Sequence, residues 1–279
     1  MVLFSTSDES GPAAALKVDY MGHVRLGRLP KTIRWQGVVA LMDDSPDDIP
    51  AVARGTAAAA ELRLRQLSRD PSLIHCFWLL TRVASASRHE DFVTALARLN
   101  LPIPINGSAL LYISQISDQV RLDLAPHTES GPFGELASLA LRRTLSETVG
   151  VHGRSLFGSS LEDVQHAFYS HSSPARFGEL ARRFFGDYLA RTLRFFVEKE
   201  LSNQVGSGHG LTNIDASTEF TRTLDLYARE SARIVEDFAT GWYSKHNWES
   251  GDAITQEEAQ GFVAIALRKL RMELARSDL

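Results

Sequence analysis

Cysteine is almost absent from this chain of 279 residues, since Cys76 in the apolar run LIHCFWLL is the only one. A single thiol cannot form an internal disulfide or a cysteine-based zinc site, so both are excluded. Within an apolar helix, such a thiol is typically an inert core group and not a nucleophile. The sequence therefore predicts a reducing compartment, the cytoplasm.

Long apolar runs are also missing. No window approaches the roughly 20 apolar residues of a membrane-spanning helix. The opening residues MVLFSTSDES lack the basic segment that precedes the apolar part of a leader. We therefore expect neither a membrane span nor a leader. The formal net charge of −4 gives no general attraction to nucleic acid or anionic lipid, so any basic surface must be local.

Lysine is scarce as well, because it supplies only five of the 30 basic residues and arginine supplies the other 25. A GC-rich bacterial genome favours arginine and alanine codons, and on this ground we predict a bacterial protein. Arginine also suits bidentate pairing with carboxylates or phosphates at interfaces. The same composition is thus compatible with a docking surface.

Strand patterns are few, and helical spacing of apolar residues dominates the chain. We predict a mainly α fold, an irregular multi-helix bundle with a long C-terminal helical hairpin. Helix starts are indicated at Asp70-Pro71, at Ser160 with Asp163, at Ser173-Pro174 and at Thr255 with Glu258. An alanine-rich helix is expected from about Asp48 to Ser68, and a helix ending at Gly150.

The predicted hairpin spans two amphipathic segments, 174–202 and 217–245, joined by the glycine-rich connector NQVGSGHGLTNID. The first segment repeats apolar residues at steps of three and four, from Phe177 and Leu180 to Phe196 and Val197, and so requires a buried face. The connector has the glycine density of a phosphate cradle but matches no phosphate-binding motif. We interpret it as a flexible connector in which His209 is exposed.

Two features of the N-terminal half leave the organisation open. The segment SALLYISQISDQVRLDLAP mixes helical spacing with the period-two alternation VRLDL, which leaves room for a small β hairpin. Residues 1 to about 29 are expected to form an irregular arm with room for a short strand, and KTIRWQGVVALMDD fits either a helix or a buried strand. We predict a mostly helical N-terminal region, 1–155, and a C-terminal helical bundle, 156–279.

Two acidic sets are candidates for metal chemistry. Four aspartates in MDDSPDDIP, Asp43, Asp44, Asp47 and Asp48, resemble in composition a Mg²⁺-binding run, but Pro46 interrupts the helical turn and helix capping is favoured. Glu162, Asp163 and His166 share a helical face, as the ligands of di-iron bundles do, yet no second such pair occurs in another long helix. No cofactor, metal or catalytic residue is therefore assigned.

The first arm of the hairpin also carries a basic stripe. We predict that it contacts a partner through five arginines: Arg176, Arg182, Arg183, Arg191 and Arg194. Glu179 precedes Arg183 and Asp187 precedes Arg191 by four residues, the favourable acid-to-base order on a solvated helix face. Aromatic residues and arginine are enriched in interface cores.

Three functions remain open from the sequence. The favoured one is a non-catalytic helical interaction subunit of a larger bacterial complex that binds a partner protein or a second copy. The second is a metal- or nucleotide-dependent helical enzyme that uses one of the two acidic sets. The third is nucleic-acid binding through the basic stripe and the basic tail 268–276, which the net charge does not favour.

Overall fold

Helices account for most of the chain, as the sequence predicts. The computed structural model of the protein describes residues 32–101, 109–125, 131–152, 160–206, 208–249 and 254–276. In chain order the helices are α1 (Ile33–Asp44), α2 (Ile49–Ala59), α3 (Glu61–Leu67), α4 (Pro71–Ala86), α5 (Phe92–Ala97), α6 (Ala109–Leu124), α7 (Pro132–His152), α8 (Leu161–Ser170), α9 (Pro174–Leu201), α10 (Ile214–Ser231), α11 (Arg233–Glu249) and α12 (Gln256–Ala275).

The four predicted helix starts are confirmed, three of them with side-chain caps, whereas Ser173 before Pro174 of α9 makes no side-chain cap hydrogen bond. The Asp70 carboxylate accepts hydrogen bonds from the backbone N–H groups of Ser72 and Leu73, directly before Pro71 begins α4. Capping boxes begin α8 at Ser160 and α12 at Thr255. In each box the hydroxyl and a carboxylate three residues later satisfy two backbone donors that the first helical turn leaves unpaired.

The prediction of a small β hairpin in the N-terminal half is wrong for the segment VRLDL, which belongs to α6. The helix places Tyr112, Ile113, Ile116 and Val120 on one buried face, and this spacing outweighs the short period-two alternation because it buries a continuous apolar stripe. No strand occurs in the described ranges, where an isolated bridge joins Val205 and Leu211. The arm at 1–29, with its own expected strand, lies outside the described residues.

Three predicted helix boundaries differ from the structure. The helix expected from Asp48 to Ser68 divides into α2 and α3 at Ala60, whose ψ of 6° departs from helical geometry. Gly150 does not end α7, which continues to His152. The second arm of the hairpin divides into α10 and α11 at Ala232, where ψ is −3°. The segment KTIRWQGVVALMDD forms α1 and not a strand.

An aromatic cluster lies where α4, α9, α11 and α12 meet. Phe77 of α4 stacks on Phe262 of α12 at 4.4 Å between ring centroids, and Phe177 of α9 stacks on Tyr243 of α11 at 4.0 Å. Phe77 is also near Phe184 and Phe185. Fully burying each such ring stabilises the fold by about 1.5–3 kcal/mol, so this cluster joins α4 to the C-terminal helices.

The C-terminal part of α9 packs on α10, and its N-terminal part packs on α11. Arg194 meets Asp225 of α10, whereas Gly178, near the other end of α9, faces α11. A Cβ atom at Gly178 would lie 2.5 Å from Thr240 Oγ1 and 2.7 Å from the Glu236 carbonyl oxygen. Only glycine permits so close an approach of the two helix backbones.

Helices from both sides of residue 155 contribute to the core, because α4 packs on α12 and α7 packs on α9. The division into regions 1–155 and 156–279 stays a prediction, since such contacts do not test whether either region folds by itself. None of the helices in the described ranges combines the length and the hydrophobicity that a membrane crossing requires.

Candidate functional site

The basic stripe of α9 lies beside a charged hollow between helices. This hollow has a volume of about 470 Å³. Its lining comes from α7 (Arg143, Glu147), α9 (Glu179, Arg182, Arg183, Asp187), α10 (Arg229) and α11 (Glu236). The helices thus bring together groups that are separated by more than 90 residues in the chain.

Asp187 is the centre of this arrangement, and its side chain is only 6% exposed. Its carboxylate accepts hydrogen bonds from Arg191 Nε at 2.6 Å and from Arg229 Nη2 at 3.0 Å. Arg143 Nη1 of α7 lies 3.4 Å from the same group. We call Asp187, Arg143, Arg191 and Arg229 the Asp187 cluster. A buried carboxylate needs such partners because its charge is costly to remove from water.

The expected acid-to-base pairs of α9 are present in part. Asp187 does pair with Arg191, but it does so as a buried residue and not on a solvated face. Glu179 pairs with Arg176 at 2.7 Å, not with Arg183. The interior position of Asp187 had a signal in the sequence, because it lies within FFGDYL, between residues of the buried aromatic face. Its partners Arg143 and Arg229 had none.

Four of the five predicted stripe arginines bind carboxylates of the protein itself. Arg176 binds Glu179, and Arg191 binds Asp187. Arg182 bridges Glu230 and Glu236, and Arg194 binds Glu198 and Asp225. Of these pairs, those of Arg182 with Glu230 and Glu236 and that of Arg194 with Asp225 join α9 to α10 and α11. Within the described residues, the half-buried Arg183 has no ion pair or hydrogen bond from its guanidinium.

The basic groups near the hollow stay charged. Partial burial tends to lower the pKa of Arg143, but its hydrogen bond to Glu147 and the charge of Asp187 raise that pKa overall. The pKa of Arg194 is raised in the same way, since the hydrogen bond to Glu198 and the charge of Asp225 outweigh burial. Arginine does not lose its proton in proteins, so these shifts reflect the ion pairs and make neither group an acid or a base.

The aspartates of MDDSPDDIP serve local structure. Asp48 caps α2 by accepting a hydrogen bond from the Ala51 backbone N–H at 3.0 Å. Asp43 accepts one from the Gly210 backbone N–H at 3.0 Å. Asp44 ends α1, and Asp47 lies in the turn between α1 and α2. Among the described residues, no three His, Cys, Asp or Glu side chains converge as a metal ion would require.

The glycine connector docks on the end of α1. A Cβ atom at Gly210 would lie 2.3 Å from the Met42 carbonyl oxygen and 2.4 Å from that of Asp43, so glycine is required there. His209 is 48% exposed, and its Nδ1 lies 3.6 Å from Asp43 Oδ1. The backbone amide of Gly210 is thus occupied by Asp43 and is not available to a phosphate group.

The second acidic set lies on a shallow surface between α8 and the end of α4. Asp163 is engaged in the Ser160 capping box, and Glu162 is exposed. His166 shares an open hollow of about 500 Å³ with His89 and Tyr169. The set therefore lies near other polar groups, but Asp163 is already engaged as part of the helix cap.

The Cys76 thiol and the basic tail have structural surroundings. Burial raises the pKa of Cys76 far above its usual value, with a smaller effect from the charge of Asp70, which suppresses the reactive thiolate. Arg271 of the tail binds Glu61 of α3 at 3.0 Å, and Lys269 lies over the ring of Phe238 at 5.7 Å. The tail thus contributes cations to helix packing.

A further cavity, formed by described residues, was not anticipated from the sequence. It is an open groove of about 800 Å³ between α6 and α7. Its lining includes Ile113, Ser114, Ser117, Asp118, Arg121 and Leu124 of α6, and Glu135, Ser138, Leu139, Arg142 and Ser146 of α7, with Ser72 of α4. On α7 these residues recur at steps of three and four, a signal that indicates a shared face but not that the face is open.

Comparisons of the chain with protein-family models, with curated proteins and with solved structures find no match in any of the three.

Proposed function

We propose that the protein is a non-catalytic helical subunit of a larger bacterial complex in the cytoplasm, and that its long C-terminal hairpin docks a partner protein. The docking element is the charged hollow beside α9 within an irregular helical bundle. The observation that carries the proposal is Arg183, a half-buried arginine that lines the hollow and has no ion pair within the described residues.

The charges around Arg183 explain why it suits a carboxylate. Arg182 of the same lining already binds Glu236, and Glu179 already binds Arg176. Arg143 and Arg229 meet Asp187. The lining as a whole has four arginines and four carboxylates, but Arg183 is its arginine without an ion pair in the described residues. A partly desolvated cation gains most from an anionic partner.

The charged lining of the hollow suits a charged side chain of a partner better than a free small molecule. Ligand pockets are mostly apolar and enclose much of the ligand, whereas every residue that lines this hollow is charged. An aspartate or glutamate of a partner could form a bidentate pair with Arg183 while the neighbouring ion pairs remain intact. Arginines in such positions often dominate the binding energy of an interface.

Arg183→Ala and Arg176→Ala form a matched pair of variants for testing this proposal. Both residues lie on α9, but Arg176 is 61% exposed and paired with Glu179. In quantitative affinity purification from the native host, we expect wild type and Arg176→Ala to retain one stoichiometric partner. Arg183→Ala should lower the recovery at least about tenfold, which corresponds to roughly 1.4 kcal/mol.

Two results would contradict the proposal. One is a strictly monomeric wild-type protein, by light scattering, without a co-purifying partner. The other is full retention of the partner by Arg183→Ala, which would place the contact elsewhere. If light scattering instead shows a homo-oligomer that Arg183→Ala dissociates, the partner is a second copy of the chain.

The two alternative functions have less support from the geometry. The acidic sets are divided between helix caps and the contact with Gly210, and four stripe arginines bind internal carboxylates. Binding of Mg²⁺ or nucleotides in calorimetry would favour the enzyme. A salt-dependent shift with oligonucleotides would favour nucleic-acid binding.

A further inference from the structure

The groove between α6 and α7 has the shape and charge pattern of a helix-binding site. We propose that it binds an amphipathic helix of about three turns from a partner protein. This surface does not include Arg183, so the inference goes beyond the proposed function and can fail or succeed separately.

The dimensions of the groove match a helical segment. Its lining extends from Ile113 to Leu124 on α6 and from Gly134 to Ser146 on α7, eleven and twelve residue steps. Eleven residue steps of helix cover about 16 Å at a rise of 1.5 Å each. Two walls of that length, with a volume of about 800 Å³ between them, suit the helix-in-groove mode of recognition.

The surface of the groove provides an apolar floor with short polar side chains beside it. Ile113 is buried, while Leu124 and Leu139 are half-buried. Four serines also line the groove, and their short side chains fill little of its space: Ser114, Ser117, Ser138 and Ser146. An apolar helix face could thus reach Leu124 and Leu139 and remove them from water, the main source of affinity in this mode.

Charge complementarity distinguishes a long occupant from a small one. Glu135 and Arg142 are both exposed and, within the described residues, have no ion pair. They lie seven residues apart on α7, two turns or about 10 Å. By contrast, Arg121 of the facing wall is neutralised by Asp118 at 2.7 Å. The occupant should therefore carry one basic and one acidic side chain about two turns apart, as an amphipathic helix does.

A displayed library of 15-residue amphipathic helices tests this assignment. Selection would use the full chain as target, with counter-selection on Leu139→Asp, which places a charge in the apolar floor. We expect enrichment of sequences with apolar residues at helical spacing and an acid and a base seven residues apart. Synthetic peptides of these sequences should bind Leu139→Asp at least about tenfold more weakly than wild type.

Arg142→Glu provides a specificity switch that does not depend on the floor. Because Arg142 is exposed, this variant should unfold at the wild-type temperature, and selection on it should replace the acidic residue of the peptides with lysine or arginine. It also keeps the test decisive if Leu139→Asp fails to fold. Arg183→Ala should bind the selected peptides as wild type does, which separates the groove from the hollow.

Three outcomes would overturn the inference. The first is an absence of enriched helices on wild type. The second is enrichment that neither Leu139→Asp nor Arg142→Glu alters, because the peptides would then bind elsewhere. The third is a dimer in light scattering that Leu139→Asp dissociates, which would make a second copy of the chain the occupant.

Discussion

The buried carboxylate of Asp187 offers the sharpest test of the structure. Replacement by alanine removes two charge-assisted hydrogen bonds, to Arg191 at 2.6 Å and to Arg229 at 3.0 Å, and the ion pair with Arg143 at 3.4 Å. Removing one partner of a buried ion pair costs roughly 3–5 kcal/mol. The three arginines are 28–41% exposed and can regain water, so we expect the low end, about 3 kcal/mol.

Thermal unfolding followed by circular dichroism measures this loss. At roughly 2–4 °C per kcal/mol for a protein of this size, Asp187→Ala should lower the midpoint by about 6–12 °C. Asp187→Asn should lie between wild type and Asp187→Ala because its amide oxygen still accepts a hydrogen bond. The matched control is Glu179→Ala, which breaks the more exposed pair with Arg176 and should cost no more than about 0.5–1 kcal/mol.

A double-mutant cycle shows whether the effect belongs to the cluster. The coupling energy between Asp187→Ala and Arg229→Ala should reach about 1–2 kcal/mol, as for residues in direct contact. If Asp187→Ala unfolds at the same temperature as Glu179→Ala, the carboxylate is not held by its arginines as described. In that case the proposed arrangement of α7, α9 and α10 is wrong.

Three further experiments test the structure. In urea unfolding, Gly178→Ala should destabilise the protein by about 1–3 kcal/mol, because its Cβ would approach α11 to 2.5 Å. The control Gly241→Ala has nothing within 4 Å of its Cβ and should be neutral or slightly stabilising. The buried Cys76 should react with a thiol reagent such as DTNB at pH 8 only after denaturation, since burial raises its pKa; fast labelling of the native protein would refute its burial. Arg191→Glu should destabilise the chain by several kcal/mol through repulsion at the buried carboxylate, whereas Arg183→Glu should leave the melting temperature within about 2 °C of wild type.

The helix starts could be predicted from the sequence because their causes are local. Asp70 and the capping boxes at Ser160 and Thr255 act within three or four residues, and each lies where predicted. The aromatic face of α9 could also be predicted from the spacing of its apolar residues, and Phe177, Phe184 and Phe185 are fully buried in the structure. The periodicity of apolar residues thus predicts which face of a helix is buried.

The errors arise where two patterns compete or where distant residues decide. In α6 the alternation VRLDL coexists with helical spacing, and the burial of Ile116 and Val120 settles the competition. The Asp187–Arg191 pair has the spacing of a solvated helix surface, but Arg143 of α7 and Arg229 of α10 cover it. The groove between α6 and α7 was not predictable, because no local pattern shows which face a neighbouring helix leaves open.

The internal ion pairs change how an interface on α9 should be tested. A combined reversal of Arg183 and Arg191 would be ambiguous, because the change at Arg191 opposes the buried Asp187 and can disrupt assembly by unfolding the hairpin. Arg183 lacks such a partner within the described residues, so its single reversal alters the charge of the hollow while the fastening pairs persist. Loss of a partner in that variant, at an unchanged melting temperature, therefore reports on docking and not on folding.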